Sequence, residues 1–180
     1  LLQKGGYQFE ALSLETSEII DENLNCFDQT IYLARLKMRQ FKKTYGLKYG
    51  KFKTALTCDT MVEFDGQTLG KPDNENQALD WLVSYSNNKQ YVHTGCCVMK
   101  LDGSGEKKSW AVTTEVFFKN ISKENAQKYL KDQKDAMSKA GAYGLQDETF
   151  PFVEKIKGSY SNVVGLPMES LKVYLDKWSV

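Results

Sequence analysis

Apolar and polar positions along the chain sort into helical and extended stretches before any chemistry is considered. Residues 7–14 alternate, which predicts a short strand. Residues 15–25 are acidic and polar, with Glu15, Glu18, Asp21 and Glu22, and read as a loop. Ile31, Ala34, Met38, Phe41 and Tyr45 then recur every three or four positions. They form one helical stripe that Asp28 can cap and Gly46 can end. Residues 54–58 form a buried strand with Asp59 just past its end. Residues 61–64 extend again before an Asp65-Gly66 turn. Pro72 restricts the backbone of Lys71 in the following loop.

Farther on, residues 76–85 place Ala78, Leu79, Leu82 and Tyr85 on one side of a short helix. A long strand over 91–101 meets a hairpin connection at Asp102-Gly103-Ser104-Gly105. Trp110, Val112, Thr114, Val116 and Phe118 keep a strict period of two. Ser122 caps a helix reaching about residue 132. Residues 139–146 fit neither regular pattern, and their two glycines suit either a tight turn or backbone held close to a ligand. Residues 152–156 read as a strand and 158–162 as a polar loop. Pro167 opens a last helix with Met168, Leu171, Leu175 and Trp178 inward. Strands and helices mix without strict βαβ repetition, which gives an α/β protein with a mixed sheet.

Composition narrows the function more than the fold. The chain has 180 residues, 41% of them apolar, enough for a core without disulfides. A net charge of +1 gives no case for a nucleic-acid polymer as partner. Cys26, Cys58, Cys96 and Cys97 lack Cys-x-x-Cys spacing, and His93 is the single histidine, so a zinc site would need an unusual ligand set. Free thiols in a reducing compartment follow, with adjacent Cys96 and Cys97 facing opposite sides of a strand. No apolar run suits a signal peptide or a membrane span, so the cytoplasm is the expected location, with no membrane partner. The chain opens Leu1-Leu2-Gln3-Lys4-Gly5-Gly6, which reads as the last turn of a helix closed by glycine.

No Gly-x-x-x-x-Gly-Lys-Ser/Thr, Gly-x-Gly-x-x-Gly or Gly-x-Ser-x-Gly motif occurs. The polar residues that remain are Asp59, Glu18, Lys37, Lys71 and Gln146. Carboxylates hold divalent metal ions and orient water, and lysines meet phosphate oxygens as point charges. Triphosphate hydrolysis needs both kinds of group.

A set of ordered motifs then resembles the Maf family. They are Leu33-Ala34-Arg35-Leu36-Lys37, Cys58-Asp59-Thr60-Met61-Val62, Leu69-Gly70-Lys71-Pro72, His93-Thr94-Gly95 and Thr114-Glu115-Val116-Phe117-Phe118. Lys139-Ala140-Gly141-Ala142-Tyr143-Gly144-Leu145-Gln146 and Gly158-Ser159-Tyr160-Ser161-Asn162-Val163-Val164-Gly165-Leu166-Pro167 complete the set. The resemblance implies an elongated, mixed-sheet α/β fold with two lobes around a cleft, like that of inosine-triphosphate pyrophosphatases, over a single domain 1–180. It implies hydrolysis of nucleoside triphosphates to monophosphate and pyrophosphate with Mg2+ or Mn2+. By the same resemblance Asp59 and Glu18 are catalytic and bind the metal, with Glu22 the alternative for Glu18. Lys37, Lys71 and Lys139 hold phosphates, and Gln146 helps set substrate choice. The Lys-Ala-Gly-Ala-Tyr-Gly-x-Gln run resembles the branch that prefers dTTP and UTP, and homodimers are expected. The family's leading strand and Ser-x-Ser-Pro-Arg-Arg segment have no counterpart here, so the domain reads as N-terminally incomplete. Lys119 stands where the family often has arginine. A catalytically impaired nucleotide-binding or cell-division regulatory protein is the alternative.

Overall fold

The computed structural model describes residues 1–16, 20–145 and 151–178. Its elements are α1 (Cys26–Tyr45), β1 (Thr54–Phe64), β2 (Gln67–Leu69), α2 (Glu75–Ser84), β3 (Lys89–Lys100), β4 (Lys107–Phe118), α3 (Lys123–Asp132), β5 (Val153–Lys157), α4 (Tyr160–Val163) and α5 (Met168–Trp178). The five strands form one sheet in the order β2-β1-β3-β4-β5. The expected α/β class holds, and β1 with β2 and β4 with β5 pair antiparallel. The chain divides into two compact units. The first holds Leu1–Thr60, Thr94–Val112 and Gly165–Val180, and the second holds Met61–His93 and Thr113–Val164.

In the first unit, alternation along β3 sends side chains to two cores. Cys97, Met99 and Leu101 meet Ala34, Met38 and Phe41 of α1. Cys96 and Val98 meet Met168, Leu171, Leu175 and Trp178 of α5. The vicinal cysteines therefore face opposite sides, as period-two geometry requires. None of the four cysteines forms a disulfide. Each fully buried large side chain contributes roughly 1.5–3 kcal/mol. Helix and sheet can approach closely because β3 carries Gly95. A β-carbon there would lie 2.2 Å from the backbone carbonyl of Thr30.

The second unit packs around Tyr85, whose ring stacks on Phe118 at a centroid separation of 5.3 Å and meets Phe64 and Tyr143 edge-on. Burial raises the pKa of Tyr85, and its hydroxyl donates to the Gly141 carbonyl at 3.0 Å. Asp65 and Gly66 both take positive φ, 50° and 73°, as a two-residue hairpin between β1 and β2 demands.

Several local expectations need correction. Residues 7–14 have no strand structure. Alternation without a ladder partner leaves the backbone irregular. The cap of α1 is Asn25, not Asp28: Asn25 Oδ1 accepts from the Asp28 amide at 2.8 Å, and Asn25 Nδ2 donates to Asp28 Oδ2 at 2.9 Å. Asp28 thus lies inside the first turn, where its charge favours the helix dipole. Replacing Asn25 with alanine is expected to cost about 1 kcal/mol, read as a lower denaturant midpoint at unchanged slope. The two extended stretches around Asp59 are one strand of 11 residues, β1, with Asp59 inside it. The segment read as a polar loop near Ser159 holds the single turn α4, with Ser159 accepting from the Asn162 amide.

Candidate functional site

Asp59 and Lys37 are brought together by two periodicities in the first unit. Ala55, Thr57 and Asp59 share one face of β1 by alternation, and Ala55 belongs to the core against α1. On α1, Lys37 flanks the buried stripe of Leu33, Ala34, Met38 and Phe41. Lys37 Nζ lies 2.6 Å from Asp59 Oδ1, a charge-assisted hydrogen bond. The two side chains are 23% and 11% exposed, so the pair is shielded yet open to a ligand.

Backbone and side-chain ties fix the position of Asp59. Thr57 Oγ1 donates to the Ala34 carbonyl at 2.7 Å, which pins β1 to α1 two residues before the acid. Thr60 and Thr94 hydroxyls lie 2.9 Å apart across β1 and β3. Two residues back, Cys58 Sγ and Cys96 Sγ lie 3.5 Å apart. The hydrogen bond to Cys96 and burial push the Cys58 thiol well above its ordinary range, so it stays protonated. These two cross-strand pairs set Gly95 opposite Asp59. The residue without a side chain is therefore the one that faces the acid, and α1 fills the space.

The second unit carries the other predicted basic residues. Lys71 is exposed beside the buried Pro72. Its neighbour Gly70 accepts at its carbonyl from the Gly141 amide at 3.0 Å, which joins this loop to the 139–145 segment. Lys139 Nζ lies 3.0 Å from Asp135. The 139–145 segment is a 3-10 turn over Ala140–Ala142 in which Gly141 and Ala142 take φ of 73° and 65°. A buried alanine in that region stores strain of order 1 kcal/mol or more, of the kind found at ligand-holding segments. Lys119 Nζ donates to the Pro151 carbonyl at 3.2 Å. Glu18 and Gln146 lie outside the described residues. Glu22, the alternative to Glu18, is exposed in a turn.

Sequence reasoning had not grouped a second set of polar side chains. His93 Nδ1 lies 2.8 Å from Thr113 Oγ1, and Nε2 lies 3.4 Å from Glu63 Oε2. The imidazole stacks on Tyr91 with an interplanar angle of 13°. Only strand register brings these residues together, and register is not visible in a linear pattern. Burial lowers the His93 pKa below its ordinary 6.5, with Glu63 opposing. The folded state therefore resists a proton that the unfolded chain accepts. Stability is expected to be full above pH 6.5 and to fall as the pH drops below it. The limiting slope is about 1.4 kcal/mol per pH unit. Denaturant titrations from neutral to mildly acidic pH should show this limb, and His93→Asn should flatten it.

A divalent ion of the Mg2+ or Mn2+ type prefers hard oxygen donors. Asp59 fits that preference: it is a partly buried carboxylate that already holds a cation, the Lys37 ammonium, at 2.6 Å. The Glu63–His93 pair offers a mixed oxygen and nitrogen set, which suits such an ion less well. No described helix is long and apolar enough to cross a membrane.

The profile of a family described as "Maf-like protein" matches residues 1–178. The chain is 33% identical over 178 residues to the dTTP/UTP pyrophosphatase of Bdellovibrio bacteriovorus, covering 99% of this chain and 92% of that one. It is 35% identical over 178 residues to the protein of the same name from Carboxydothermus hydrogenoformans, covering 99% and 91%. A dTTP/UTP pyrophosphatase of Thermococcus gammatolerans is 39% identical over 139 residues, covering 77% and 70%.

Proposed function

The chain belongs to the Maf family, and from that premise we propose that it hydrolyses dTTP and UTP to the monophosphate and pyrophosphate. The observation that carries this reading is the agreement in name among relatives that match nearly the whole chain. The Asp59–Lys37 pair supports it, because a shielded carboxylate beside an ammonium meets the two needs of triphosphate hydrolysis.

Asp59 takes the role of metal ligand and orients the attacking water, a role that the family resemblance also gives to Glu18. When bound, a Mg2+ or Mn2+ ion supplies charge neutralisation at the phosphates and acidifies water. Lys37 releases Asp59 to hold a phosphate oxygen, which keeps the charge balance of the pair once substrate arrives. Lys71 and Lys139 bind phosphates, and Gln146 helps set substrate choice. Modified pyrimidine triphosphates belong to the same substrate class. A homodimer in the cytoplasm is the working state.

Two measurements check this assignment. The first is product analysis with dTTP, UTP, CTP and 7-methyl-GTP in Mg2+ or Mn2+. Pyrophosphate and monophosphate should appear in equal amounts from dTTP and UTP, and neither in excess chelator. Tight nucleotide binding without any product would replace the enzyme by a nucleotide-responsive regulator. The second is Lys71→Met, which removes one charge-assisted contact to phosphate. KM should rise roughly tenfold while kcat changes less, since the contact exists before the transition state.

A further inference from the structure

A concavity of about 650 Å³ lies in the first unit, lined by Asp21, Asp28, Tyr32, Arg35, Arg39 and Lys107 among others. Arg35 and Arg39 are one helical turn apart on α1, so their side chains share a face. That face is the flank of α1 away from Lys37, because 35 and 39 lie two positions to either side of it. Lys107 opens β4. Arg35 and Lys107 both act on the buried Cys97 thiol, each easing its ionisation against the larger effect of burial. Their charges therefore converge from a helix and a strand on the same side of the sheet.

Among the described residues, neither arginine nor Lys107 forms an ion pair. The two carboxylates in the same concavity are turned to local donors. Asp21 Oδ1 accepts from the backbone and side-chain nitrogens of Asn23, each at 3.0 Å. Asp28 Oδ2 accepts from the cap residue Asn25. Three converging cations are left facing solvent, beside the ring of Tyr32. Like charges held together repel, and an oxyanion relieves that repulsion. Arginine's planar fork matches two oxygens of one phosphate, and two such forks match a diphosphate.

We propose that Arg35, Arg39 and Lys107 form a second, non-catalytic site for a phosphate-type oxyanion carrying two or more charges. The site lies wholly in the first unit and does not rest on the catalytic reading. Its chemical class includes free pyrophosphate and the phosphate chain of a nucleotide, and the two sources are separable by experiment.

The test is a titration of the full chain with inorganic pyrophosphate in chelator, followed by amide chemical shifts. Residues 31–39 and 107 should move and saturate. In Arg35→Gln/Arg39→Gln those shifts should need roughly tenfold more ligand or more, since two charge-assisted contacts are gone. Lys107→Gln provides a second variant should the double substitution fold poorly. Sulfate at matched ionic strength should bind more weakly than pyrophosphate, and a parallel titration with dTMP and with dTTP tells free polyphosphate from nucleotide. Shifts confined to other residues, or an unchanged isotherm in both variants, would overturn the site. Equal responses to sulfate and pyrophosphate would reduce the effect to ionic screening and overturn it too.

Discussion

Replacing Asp59 with asparagine should cut turnover of dTTP by about a thousandfold or more, the scale of losing a positioned acid–base group. The reason lies in what the substitution keeps and removes. Asparagine has the same shape and still offers an oxygen to Lys37 Nζ, now at 2.6 Å. The charge that would hold a divalent ion is gone, and so is the group that can accept a proton from water. Stability should change little, because Lys37 is 23% exposed and can turn to solvent. The loss should appear in kcat, with nucleotide affinity held by the lysines. A variant as active as the natural chain would remove Asp59 from the chemistry.

Gly95→Ala should be the most damaging small substitution in the first unit. A β-carbon at that position meets the carbon and oxygen of the Thr30 carbonyl at 2.2 Å and the Ile31 nitrogen at 2.6 Å. These are backbone atoms inside α1, so no side chain can rotate away. Relief requires α1 to move off β3, at an expected cost of about 3 kcal/mol or more. The same movement separates Lys37 from Asp59, because Gly95 lies opposite the acid. Denaturant unfolding should show a lower midpoint, and turnover by the remaining folded protein should also fall. An unchanged midpoint would mean that helix and strand are less tightly joined than the backbone places them.

What the sequence disclosed depended on how local each signal was. Ser122 was readable as the cap of α3, and Met168, Leu171, Leu175 and Trp178 as the inner face of α5, because each depends on neighbours within a turn or two. The choice between Asn25 and Asp28 as cap was harder, since both are good capping types three residues apart. The sequence pattern places Asp59 just past a strand. In β1 the strand continues because α1 supplies Lys37 as a partner. That compensation comes from 22 residues away, and no local pattern reports it. Residues 7–14 show the converse, an alternating pattern without a ladder. The Thr60–Thr94 and His93–Glu63 relations need register, which a one-residue slip would change entirely. Side-chain chemistry suggested Asp59, Lys37 and Lys71 as candidates and the likeness to the Maf family gave them roles; the geometry added Thr57, which ties β1 to α1 beside Asp59, and Gly95, which lets α1 come close.

A nucleotide pyrophosphatase working through Asp59 releases dTMP and pyrophosphate together, and both can be followed from dTTP in Mg2+ for the natural chain and for Asp59→Asn at matched folded concentration. Equal release of both products is expected from the natural chain and near silence from the variant, with superimposable melting curves. Equal product release by the two proteins would contradict the role of Asp59, and release of inorganic phosphate in place of pyrophosphate would contradict the reaction itself.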